Sequence, residues 1–127
     1  MLRYVLAMAL GLAAPVAKAH ELTPTYFELS PALVDNVLTT RMNVFNRRED
    51  IVDYRFEVYT ADWEPVAFAS FDRVFTLDYQ TGTQIPLYFR SRDRSKVVYI
   101  CTRSVPEADE SDGAVNSLIC SKIRSDE

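Results

Sequence analysis

Histidine occurs once in the 127 residues, tryptophan once, cysteine twice and glycine three times. One His and two Cys leave too few ligands for a zinc finger or an iron–sulfur cluster. A lone His also leaves no base for a serine or cysteine nucleophile. The C-x-x-C spacing of thiol redox chemistry is missing, and paired-carboxylate glycoside chemistry needs a cleft that a chain this short scarcely provides. Three Gly with six Pro exclude collagen-like and linker-like classes, and 48% apolar residues against 25% charged exclude charge-driven disorder. What is left is an ordinary globular composition without the residues for catalysis, and without a cofactor site.

Long apolar runs are lacking too, with one exception. Val5 to Val16 is a twelve-residue stretch with no charge, preceded by Arg3 and followed by Ala17-Lys18-Ala19, the small-x-small form that signal peptidase accepts. The run is short for a bilayer span of roughly 20 residues. Residues 1–19 are therefore predicted to be a signal peptide cleaved near Ala19, and 20–127 a single domain of 108 residues with no membrane span. The expected location is periplasmic or secreted, where disulfides persist. Without Arg3 and Lys18 the chain carries 12 Lys and Arg against 18 Asp and Glu, a net charge of −6. Nucleic acid is not an expected partner.

From Glu21 onward the apolar residues recur with the period of two that marks strands. Val52, Tyr54, Phe56 and Val58 share one face while Asp53, Arg55 and Glu57 share the other. Leu38, Thr40, Met42 and Val44 repeat the pattern, and the polar stretch Asn46 to Asp50 is expected to be a hairpin loop. Leu22 to Ser30, Val66 to Ala69, Arg73 to Asp78, Ile85 to Arg90, Lys96 to Arg103 and Leu118 to Arg124 supply further strands. Pro86 cannot donate to a ladder, which predicts an edge or a bulge there. Seven or eight short strands with regular turns are the cue for an all-β, immunoglobulin-like antiparallel sandwich.

Cys101 and Cys120 fall in the last two strands, in phase with the outward-facing residues of each. In an oxidising compartment they should form a structural disulfide between adjacent strands. The segment between them, Pro106 to Gly113, has four carboxylates and no large apolar residue, and is expected to be an exposed loop.

Few other residues invite chemistry. Cleavage after Ala19 would put His20 at an exposed terminus, where amine and imidazole together make a weak copper candidate that lacks a second His. Arg90, Arg92, Arg94 and Lys96 alternate around a turn as a possible anion contact, or form a solvated edge. Trp63, with Tyr59 and Tyr88, is a candidate contact patch, or else packs over the sandwich end.

The order of these segments resembles the amino-terminal domain of the periplasmic pilus chaperones of the chaperone–usher pathway. Leu22-Thr23-Pro24-Thr25-Tyr26-Phe27-Glu28-Leu29-Ser30-Pro31 is similar to their first strand, and Met42-Asn43-Val44-Phe45-Asn46 to their second. Tyr54 to Tyr59, Val74 to Asp78 and Gln84 to Arg90 follow in the expected order, and some members join their last two strands by a disulfide. The resemblance implies a site in which a basic residue of the first strand and a lysine of the last hold a subunit's carboxyl terminus beside a second domain. Here Tyr26 stands in the first position and Lys122 in the second, with Ile119 and Ile123 as a short version of the last strand's apolar row. A second domain finds no room in this length.

The function expected is that of a secreted, non-enzymatic protein-binding module, an assembly factor or an accessory part of a surface or virion structure. Its partner is another protein, engaged by β-strand addition. The alternatives are a carbohydrate- or small-ligand-binding sandwich using Trp63 and surface tyrosines, and weak copper binding at His20.

Overall fold

The computed structural model describes residues 19–106 and 117–125. The expected signal peptide and most of the acidic loop lie outside them. Strict alternation builds the two longest strands: β4 (Val37–Phe45) buries Leu38, Thr40, Met42 and Val44, and β5 (Asp53–Tyr59) buries Tyr54, Phe56 and Val58. Each presents one apolar face, so each must be covered from the opposite side.

They cover one another from different sheets. The first sheet is centred on β4, which pairs along one edge with β1 (Glu21–Thr23) and β3 (Ser30–Pro31) and along the other with β7 (Gly82–Arg90). The second runs in the order β2 (Tyr26–Phe27), β9 (Leu118–Ile123), β8 (Tyr99–Val105), β5, β6 (Val74–Thr76). All pairs are antiparallel except β2 with β9. Phe27, Met42, Tyr54, Leu87 and Ile100 are fully enclosed between the layers. The chain is an immunoglobulin-like β-sandwich, as its periodicity predicts.

Three details differ from the sequence reading. Asn46 to Asp50 is not a hairpin loop, because β4 and β5 belong to opposite sheets and the segment carries the chain across the core. Both strands alternate with the same period, and periodicity alone does not say whether neighbours pair or face each other. Asn46 fixes the crossing: its amide nitrogen donates to the carbonyls of Ile51 and Leu77, and its side-chain oxygen accepts from the Arg48 amide and the Tyr54 hydroxyl. All four hydrogen-bonding capacities of a buried carboxamide are thereby satisfied.

The first strand is broken into β1, β2 and β3, since the chain passes from the first sheet to the second and back. Pro24 lies at the first of those breaks and Pro31 ends β3, and neither has an N–H to continue a ladder. Val66 to Ala69 is likewise an extended crossing rather than a strand, tied to one sheet through the Tyr59–Pro65 bridge and to the other through Ala69–Tyr88. That last bridge occupies the outer side of β7 only at Tyr88, so Pro86, two residues away and in phase, meets no ladder partner on the edge.

Candidate binding surface

The outer face of the second sheet carries a row of register partners across four strands. Tyr26 on β2 pairs with Lys122 on β9, Lys122 with Tyr99 on β8, and Tyr99 with Tyr59 on β5. Partners in register share a face, so three tyrosines and one lysine stand side by side. Tyr26 is 57% exposed. Tyr26, which the chaperone resemblance aligns with a basic residue, thus stands in register with Lys122 and carries a phenol instead of a charge.

Trp63 joins this row from the turn after β5. The Thr60 hydroxyl accepts from the amides of Asp62 and Glu64, and backbone bonds link Thr60 N to Glu64 O and Trp63 N to Thr60 O. The turn holds Trp63 at φ 63°, the left-handed region that bulky residues rarely adopt. This folds the indole back onto the sheet, parallel to Tyr99 with centroids 4.1 Å apart and planes 5° apart. Tyr59 meets it at 5.7 Å and a tilt of 53°. Trp63 stays 51% exposed, outside the core, against residues at the ends of β5 and β8. Tyr88 is not part of this patch; it lies on β7 in the other sheet, edge-on to Phe71.

Beneath the row, Glu57 accepts from the Tyr59 hydroxyl at 2.9 Å and from Arg103 Nε at 2.6 Å. Burial alone would push the Glu57 carboxyl up, but hydrogen bonds from Arg103 and Tyr59 and the nearby guanidinium charges hold it below its ordinary value. Burial and the bond to Glu57 raise the Tyr59 phenol. Tyr59 therefore stays a protonated, fixed wall of the patch.

Cys101 and Cys120 face each other in register and form a disulfide with Cα atoms 4.0 Å apart. The bridge sits on the same outer face, between the row and the base of the acidic loop. On the inner side of β9, Ile119 and Ile123 are partly buried against the core. Between them Ser121 is buried, and its hydroxyl has no partner among the described residues. Along the outer edge of β9, β2 engages only Lys122 and Ile123. Lys122 N donates to Thr25 O and Arg124 N to Phe27 O, so the in-phase groups of Leu118 and Cys120 point to the same edge. No strand forms a ladder with them among the described residues, although β1 runs close beside β9 before the chain turns into β2.

The other sequence candidates are arranged differently. Ser91–Lys96 forms a 3₁₀ helix, whose three-residue turn puts Arg90, Asp93 and Lys96 on one side. Buried Asp93 accepts from Arg90 at 3.0 Å and lies 3.7 Å from Lys96, so those two cations are engaged internally rather than offered to an anion. Arg92 and Arg94 point to solvent.

His20 is not an exposed terminal residue. It is 1% exposed, packed 4.6 Å from the Tyr54 ring. Nε2 lies 3.1 Å from the Thr102 carbonyl and 2.7 Å from its hydroxyl, and Nδ1 3.0 Å from the Ser117 hydroxyl. A carbonyl only accepts, so Nε2 carries the proton and Nδ1 accepts from Ser117. Both nitrogens a metal would use are occupied inside the fold, and no cluster of three metal-ligating side chains occurs among the described residues. Burial, aided by the Arg48 charge and opposed by the Thr102 bond, lowers the imidazole to about 4.

Sequence reasoning placed Tyr99 and Lys122 on the outward phase but missed their junction with Trp63, Thr60 and Tyr59. The fold-back depends on backbone geometry at Trp63 that no residue type announces.

No helix among the described residues is long and apolar enough to cross a membrane. No family model and no curated protein matches the chain. Solved structures do match. The periplasmic chaperone SfaE superimposes with a TM-score of 0.55 at 13% identity, over 84% of this chain and 57% of its own. The PapD-like domain 7 of human CEP192 gives 0.50 at 10% identity, over 91% of this chain and 95% of that domain. The chain thus spans less than two thirds of SfaE. Its fold is that of the PapD-like immunoglobulin domains, in keeping with the chaperone resemblance of its strands.

Proposed function

We propose that the chain is exported by residues 1–19, cleaved near Ala19, and acts outside the cytoplasm as a non-enzymatic, cofactor-free protein-binding module, an assembly factor or accessory structural protein. The disulfide supports that location, because such bonds persist in oxidising compartments. Partner binding is supported chiefly by the stretch of β9 at Leu118 and Cys120 that no described strand pairs in a ladder, beside the partly covered side chains of Ile119 and Ile123. An extended segment of another protein adds there as a strand, gaining hydrogen bonds from the edge and contacts from its alternate side chains. Tyr26 and Lys122 stand where that edge ends, and Lys122 supplies a cation for an acidic group of the incoming chain.

A photo-crosslinking residue at exposed Leu118 tests this. The expected product is a covalent adduct with a partner, and in the purified complex the amides of Leu118 and Cys120 become protected from exchange. Lys122→Glu lowers the adduct yield about tenfold, the size of effect expected from one well-placed contact. A complex in which those amides still exchange freely overturns strand addition, and persistent monomer without adduct overturns protein binding. Sequencing of the exported protein is expected to begin at His20.

A further inference from the structure

The Trp63 platform has a chemistry that strand addition at β9 does not use. Its indole is fixed before any ligand arrives: four hydrogen bonds close the turn of residues 60–64, Tyr99 covers one face of the ring, and Tyr59 buttresses it. A bulky residue held half-exposed in the left-handed region, where it gains no core burial, marks a position kept for something other than stability.

We propose that Trp63, Tyr99 and Tyr59 form a binding site for the pyranose ring of an uncharged oligosaccharide. The C–H face of such a ring is apolar and weakly electropositive, matching the negative face of an indole. Its hydroxyls need polar partners at the rim: the exposed Asp62 and Glu64 flank Trp63 in the turn, and Lys122 is the register partner of Tyr99. That rim carries both signs, which favours a neutral polyol over an anion or a cation. The parallel contact at 4.1 Å between Trp63 and Tyr99 leaves no gap to cage a quaternary ammonium. The same contact closes the groove between aromatic ridges that a proline-rich helix would occupy. Strands lie about 4.8 Å apart, so the row from Tyr59 to Tyr26 extends the platform by about 14 Å, enough for further sugar units along it.

Trp63 is the only tryptophan of the chain, so its fluorescence reports this site alone. Titration of the protein with soluble cello-, chito- and manno-oligosaccharides is expected to give a saturable change in emission for at least one series. Tyr99→Ala weakens that binding about tenfold, while Tyr88→Ala, in the other sheet, leaves it unchanged. Trp63→Ala, followed by calorimetry and checked for folding by circular dichroism, loses binding with the β-sheet spectrum retained. Absence of any saturable response to all three series overturns the proposal. So does a response to a proline-rich peptide and to no sugar, or equal affinity in wild type and Tyr99→Ala. Crosslinking from Leu118 is indifferent to each of these outcomes, so the two readings stand or fall separately.

Discussion

The imidazole of His20 and the hydroxyl of Ser117, 97 positions apart, meet at 3.0 Å and tie the start of the domain to the base of the acidic loop. The contact requires a neutral ring, because Nδ1 must accept. The folded pKa of about 4 lies below the ordinary 6.5, so the stability held by His20 is fully present above pH 6.5 and is lost as pH falls toward 4. The shift corresponds to about 3 kcal/mol as an upper figure. Urea midpoints are expected to fall between pH 7 and pH 4, and His20→Gln to flatten that window. The carboxylates of Asp50 and Glu57, both held low, give up their share only at more acid pH.

Asn46→Ala strands two carbonyls, one amide and the Tyr54 hydroxyl in the interior. The expected loss is about 3 kcal/mol, read from chemical denaturation. Tyr54→Phe removes only the shared O–H and costs about 1 kcal/mol. If the two variants cost the same, Asn46 is not the organiser of the crossing.

Replacing both Cys101 and Cys120 by Ser removes a link across a 19-residue separation. About 3 kcal/mol of stability should go with it, and the same drop should follow reduction of the native protein. Mass spectrometry of the oxidised chain before and after alkylation checks that the bond is complete.

Ser121 buries a hydroxyl that finds no partner among the described residues. Ser121→Ala therefore leaves the fold as stable or stabilises it by about 1 kcal/mol, where most buried substitutions cost stability. A thermal midpoint that drops by several degrees would show that the hydroxyl is satisfied in solution.

Much of this fold was legible in the sequence because a half-buried strand must alternate. The faces of β4, β5 and β7, the edge position of Pro86 and the outward phase of Cys101 and Cys120 all follow from that rule. Sheet membership did not follow, since Met42 and Tyr54 alternate alike whether their strands pair or face each other. The three-part first strand was hidden for a similar reason: Leu22, Phe27 and Leu29 are buried whichever sheet they serve.

The surface was less legible than the core. Lys122 and Tyr26 were matched through resemblance, and register joined them. His20 carried no sign of burial, because the partners that neutralise its polarity, Thr102 and Ser117, come from far along the chain. Arg90 and Lys96 looked free for want of knowing that a 3₁₀ helix would turn Asp93 between them.

The parallel seam of Tyr26–Phe27 with Lys122–Ile123 joins an early stretch of the chain to its last strand. A growing polypeptide therefore holds an unsewn hem until residue 123 has been made, however well its middle strands have paired.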